Sequence, residues 1–211
     1  MKYLKIILVA VMLLANLAFA QPSLADRPKL TTSSDYTEVT QAIQELLQAK
    51  AAPEQSTYTP AEIQQKLGDL QLQKYILETA SSWGVCRNET GLNLAIYANK
   101  PAKQGASPTA LYFLPTGEET DDDWDCDGFY LPSGSLVALN PNDPQPQELA
   151  EPLAIKVVNG TKLLVKTNPE TGAIELNLPP AKVFKAGEID WSIPTLTQAE
   201  IDATVPNAPV D

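Results

Sequence analysis

Seven of the ten residues from Glu118 to Asp127 are carboxylates, the densest stock of metal-binding or acid-base groups in the chain. Within this run, Asp123-Trp124-Asp125-Cys126-Asp127-Gly128 sets a carboxylate at every second position ahead of a glycine. Oxygen ligands at that spacing, a glycine for a sharp turn and a backbone carbonyl just beyond are what a hard cation such as calcium takes. The expected ligands are therefore the side chains of Asp123, Asp125 and Asp127 and the carbonyl of Phe129. Glu118, Glu119, Asp121, Asp122 or waters would have to complete the shell. The competing reading is a solvated acidic loop at a hairpin tip.

The Asp-x-Asp-x-Asp-Gly opening resembles the first half of an EF-hand calcium loop. The second half departs from it: position twelve is Gly134 where a bidentate Glu belongs, and no amphipathic helices flank the run. The missing carboxylate implies a weak site, suited to the calcium levels outside a cytoplasm.

Catalysis is poorly supplied. The chain contains no histidine, so it lacks the usual general base near neutral pH, the Ser-His and Cys-His pairs, and zinc sites built on imidazole. No glycine-rich phosphate loop occurs among its 10 glycines. A paired-carboxylate hydrolase or a Ser-Lys pair is the chemistry left, and neither shows a local spacing.

The two cysteines, Cys86 and Cys126, predict one disulfide in an oxidising compartment. A bond across that separation stabilises by roughly 4 kcal/mol in the chain-entropy account. A redox-active pair would more usually show Cys-x-x-Cys spacing. Trp83 and Trp124 lie close to the two cysteines, as indoles packed on a core disulfide do. Trp124, Phe129 and Tyr130 also flank the carboxylates, where they would serve as apolar anchors for a partner. Tyr97, Tyr112 and Tyr130 fall in or beside strands and read as core packing before a ligand stripe.

Lys2 and Lys5 precede an apolar run, Ile6 to Ala20, interrupted only by Asn16. It is too short to span a bilayer and ends in small-residue sites, so residues 1–25 read as a signal peptide cut after Ala25. No cysteine near the cut offers a lipid anchor. The formal net charge of −11 becomes −13 when the two leader lysines go. Such a chain repels nucleic acid and anionic lipid, leaving partners that are proteins, neutral or cationic ligands, or groups bridged by metal. The expectation is an exported protein, bacterial, of periplasm, lumen or exterior, without stable membrane insertion. It works as a non-enzymatic accessory or interaction module. Calcium is the one cofactor suggested, and a calcium-dependent module and a carboxylate hydrolase are the alternatives.

The elements that must position these residues make an α+β fold, with N-terminal helices packed on a mainly antiparallel sheet. Asp35 with Glu38 predicts a capping box and a helix to about Lys50, with Val39, Ile43, Leu46 and Leu47 on one face. Thr59-Pro60-Ala61-Glu62 opens a second helix with Ile63, Leu67 and Leu70 inward, and Leu70 to Thr79 leans to helix. Strands follow at 83–87, 92–97, 110–114, 135–139, 153–158, 161–166 and 174–178. Asn159-Gly160 predicts a hairpin, 168–172 a second turn, and Lys156, Lys162 and Lys166 a solvent face. The sequons at Asn88 and Asn159 matter only in a eukaryotic secretory pathway. One domain spans 26–194, with a proline-rich surface linker at 140–152. A tail, 195–211, follows it and holds only a short helix, Gln198 to Ala203, capped by Thr197 and Glu200.

Overall fold

The computed structural model describes residues 28–101, 107–141 and 145–210, and the expected signal peptide lies outside them. Helix α1, Ser34–Ala51, is capped by Ser33, whose side chain accepts the Tyr36 N–H. The expected Asp35/Glu38 box does not form. Asp35 is instead an inward-facing residue of the first turn, 6% exposed and paired with Lys156, and Glu38 pairs with Lys182. Helix α2, Pro60–Thr79, begins as its sequence predicts. The Thr59 hydroxyl accepts the Glu62 N–H, Glu62 accepts the Thr59 N–H, and Pro60 fills the first turn. It continues through Gly68, whose missing side chain leaves open space, so the glycine costs helix propensity but no packing. Val39 and Leu77 pack with Leu30 and Val158, while Leu46 meets Ile63 and Leu67.

The strands form two five-stranded sheets. The first orders β1 (Val85–Glu89), β8 (Lys162–Thr167), β9 (Ile174–Leu176), β5 (Leu136–Ala138) and β6 (Gln147–Glu148). The second orders β10 (Lys182–Phe184), β7 (Leu153–Lys156), β4 (Asp125–Leu131), β2 (Leu94–Asn99) and β3 (Ala110–Leu114). Pairing is antiparallel except at β1–β8 and β5–β9. The fold is α+β as expected, with the strands divided between two sheets.

That division corrects the expected Asn159-Gly160 hairpin. Strands β7 and β8 lie in different sheets, so the turn carries the chain from one to the other. Gly160 is required there on two counts. Its φ is +80°, and a Cβ would sit 2.5 Å from Ala80 and 2.7 Å from Leu30, closer than side chains approach. The 168–172 turn does join the antiparallel pair β8–β9.

The sheets share a core that includes Ile96, Phe129, Leu131, Ile155, Leu163 and Val165. Cys86 of β1 and Cys126 of β4 are bonded within it, both 0% exposed, so the disulfide ties one sheet to the other. Leu149, from the expected surface linker, also joins this core, and β6 within that segment pairs with β5.

Along β2 and β4, Tyr97 and Tyr130 point to the opposite face, as alternation requires. There they pack with Ala154 and Ile201, and Trp191, Ile193 and Leu196 cover them. The Tyr97 hydroxyl donates to the Ser192 carbonyl and the Tyr130 hydroxyl to that of Leu196. Helix α3, Gln198–Ala203, has the expected Thr197/Glu200 capping box. Residues 195–210 are nevertheless no loose tail. Ile201 is 1% exposed, the Asn207 and Ala208 N–H groups donate to the Phe113 carbonyl, and Val210 bridges to Thr120. The apolar face of the sheet holds this segment in place past Pro206, with full burial of a side chain such as Ile201 stabilising by roughly 1.5–3 kcal/mol.

Candidate functional site: the acidic run and a helix–sheet cleft

The acidic run divides at Trp124. Beyond it the chain does not turn but enters β4, the middle strand of the second sheet, in which every residue from Asp125 to Leu131 is buried. An extended strand rises about 3.3 Å per residue, so 125 to 129 span roughly 13 Å where a calcium loop would curl them around one point. The expected set Asp123, Asp125, Asp127 and Phe129 is therefore not gathered. Asp125 accepts the Gly84 N–H at 2.8 Å. Asp127 accepts from Asn99 Nδ2 at 2.9 Å and Thr109 Oγ1 at 2.8 Å. The Phe129 backbone sits between Ile96 and Ile155 of the flanking strands. Gly128 serves a bulge opposite Tyr97 and Ala98, where its φ is +156° and a Cβ would lie 1.9 Å from the Ile155 carbonyl oxygen.

The other half of the run is outside. Asp122 and Asp123 are exposed, and one carboxylate oxygen from each of Asp121, Asp122 and Asp123 lies within 4.8 Å of the others. The Asp123 N–H donates to Asp121 Oδ1. Glu119 reaches Arg87 at 3.8 Å. Trp124 is half-buried, edge-on to Tyr112 and under the Lys100 ammonium. Phe129 and Tyr130, expected as partner anchors, are 0% and 1% exposed and belong to the protein interior. The Asn88 sequon is likewise closed, since Asn88 is 0% exposed and its amide donates to the carbonyls of Leu92 and Leu114.

Burial sets the electrostatics of the inner half. Desolvation, reinforced by the charge of Asp127, pushes the Asp125 carboxyl up to about 7 against the stabilising Gly84 N–H. Desolvation also raises Asp127, opposed by its bonds to Asn99 and Thr109 and by the Lys156 charge. Lys156 is half-buried and turned from the expected solvent face towards these acids, its ammonium 2.6 Å from Asp35 Oδ1. Lys162 is exposed as expected, and Lys166 pairs with Glu175 at 3.4 Å.

A cleft lies beyond this ion pair, between the helical hairpin and the sheet margin. It has two adjoining lobes of about 370 and 500 Å³. Ala42 and Glu45 of α1, Leu70 and Gln73 of α2, and Ala181 line both lobes. The first lobe ends at Asp35–Lys156 and at Glu38–Lys182, and the second at Lys66, Asp69 and Tyr58. Sequence reasoning does not find this cleft. The one available signal is Gln73, a polar side chain buried four residues before Leu77 on the inner stripe of α2. Among the described residues, no helix is long and apolar enough to cross a membrane. Compared with family models, curated proteins and solved structures, the chain matches none.

Proposed function

We propose that the protein is an exported, non-catalytic interaction module whose binding surface is the cleft between the α1–α2 hairpin and the second sheet. The observation that carries this is the cleft itself: a concave surface with an apolar wall and a charged rim, formed by elements distant in sequence. Such concavity is the usual form of a binding site. Two facts favour binding over turnover. The acids and lysines at the end of the first lobe are tied to each other as ion pairs, and the buried carboxylates Asp125 and Asp127, 1% and 6% exposed, are out of a substrate's reach. The disulfide supports export, since such bonds persist in oxidising compartments.

Site-specific photocrosslinking in the native compartment tests the proposal. A photoreactive phenylalanine analogue at Ala42 should yield a discrete adduct, and one at Thr171, on the β8–β9 turn, should not. Adducts at Thr171 without any at Ala42, or at neither position, overturn it.

A second reading, calcium binding, is favoured by the convergence of Asp121, Asp122 and Asp123. It moves the proposed ligands away from Asp125, Asp127 and Phe129 and retains only Asp123. Three carboxylates on an exposed turn would make a weak site.

A further inference from the structure

We propose that the cleft takes an extended basic peptide segment of a partner protein, whose lysine or arginine side chains meet acceptors left open on the cleft wall. This rests on the cleft being the binding surface. Its length fits a peptide. The wall follows α1 from Asp35 to Ala49, which at 1.5 Å per residue is about 21 Å. An extended chain covers that distance in about six residues, with side chains alternating between two sides.

The sign of the ligand follows from which groups are already engaged. Lys156 and Lys182 are bound to Asp35 and Glu38, so an acidic segment would have to break those pairs, and Lys66, the remaining lysine of the lining, stands over the Tyr58 ring with its charge acting on Asp69. The acceptors are less committed. Gln73 is 6% exposed and lines both lobes. Its Nε2 reaches the Pro180 carbonyl only at 3.5 Å, and its Oε1 receives no hydrogen bond from the described residues. That oxygen is not sealed from solvent, so a ligand N–H can replace the water that reaches it in the cleft. Asp69 stands on the second lobe with no hydrogen-bond donor among the described residues, and burial pushes its carboxyl up despite the Lys66 charge. Glu45 accepts from Gln41 through Oε1, and its Oε2 receives no hydrogen bond from the described residues. Val39, Leu70 and Val158 supply apolar contact between these acceptors. A chain of net charge −11 also steers a cationic segment towards itself.

The test uses the isotope-labelled disulfide-bonded protein and two capped hexapeptides, one alternating leucine with lysine and the other leucine with glutamate. The lysine peptide should shift the amide resonances of Ala42, Leu70, Gln73 and Ala181, and its affinity should fall with added salt. Asp69→Asn and Gln73→Met should each weaken it about fivefold or more. Asp69→Asn keeps the shape of a half-buried side chain at the margin of the cleft, so it decides the matter even where Gln73→Met disturbs α2.

Equal or tighter binding of the glutamate peptide at these residues overturns the basic-segment proposal and leaves the cleft as the binding surface. Shifts confined to other surfaces, unchanged affinity in Asp69→Asn, or no shift with either peptide also overturns it, while crosslinking at Ala42 independently decides the cleft's role.

Discussion

Asp121–Asp123 and Asp125–Asp127 are separated by one tryptophan and have nearly the same composition, yet they lead opposite lives. The first group is a turn whose carboxylates converge in water, and the second is the start of a buried central strand whose carboxylates answer to Gly84, Asn99 and Thr109. A carboxylate's function is set by what surrounds it, and the Cys86–Cys126 bond helps fix that surrounding by anchoring the strand between two aspartates. The inner group is held by the donors around its strand, while Asp122 and Asp123 of the outer group face solvent.

The sharpest way to break this contrast is Gly128→Ala. A Cβ 1.9 Å from a backbone carbonyl cannot be accommodated without shifting β4 or β7, and the loss should exceed about 4 kcal/mol. Near-ultraviolet circular dichroism should show no native packing. A native spectrum and an unchanged melting temperature would mean that the inner half is not held as described.

Next in size is Cys86→Ser with Cys126→Ser, which should cost about 4 kcal/mol in denaturant titration. Free thiols titrated in the folded native protein would contradict the bond itself.

The third effect separates the halves by pH. With a folded-state pKa of about 7 against an ordinary 3.8, Asp125 keeps a proton in the folded chain that the unfolded chain has lost. Stability must therefore fall as pH rises from about 4 to 7, and the full loss of about 2 to 4 kcal/mol should be present at pH 8. Asp127, also raised, acts in the same sense. Glu38, Glu62, Glu78 and Glu200 are lowered, so their contribution runs the other way, being lost only as pH falls below the ordinary carboxylate value. Asp125→Asn retains an acceptor for Gly84 and should flatten the decline between pH 4 and 7. Identical pH profiles for variant and wild type would show that Asp125 titrates normally.

The smallest effects belong to the outer half. Asp122→Asn and Asp123→Asn should each change stability by no more than about 0.5 kcal/mol without calcium. With a dissociation constant near 1 mM, calcium at about 5 mM should stabilise the wild type by about 1 kcal/mol and both variants less. Calorimetry that finds no heat leaves the turn merely solvated. Equal binding by all three proteins puts the ion elsewhere.

What could be read from sequence was what local chemistry decides. The boxes at Thr59 and Thr197 are complete within four residues, and both helices start there. Strand β3 is a short apolar and aromatic run, Ala110–Leu114, paired with β2, and its bounds are as expected. Reading failed where tertiary structure overrides composition. Strand β4 was hidden because two aspartates and a glycine do not look like a central strand, and only the bulge and the donors on β2 and before β1 make them tolerable there. The Asp35 box lost to Lys156, a partner 121 residues away. Strands β6 and β10 are two and three residues long, too short for any periodicity. The cleft was invisible for the same reason, because its walls meet only after the hairpin docks.

The two tyrosines on the back of the second sheet set a condition on the order of assembly. Tyr97 donates its hydroxyl to a carbonyl 95 residues further along the chain, and Tyr130 to one 66 residues further. Until that later segment has been synthesised, two aromatic rings and their hydroxyls lie uncovered on a half-built sheet. A growing chain therefore cannot close this layer domain-like from its N-terminus onward. It remains open until residues 191–201 emerge.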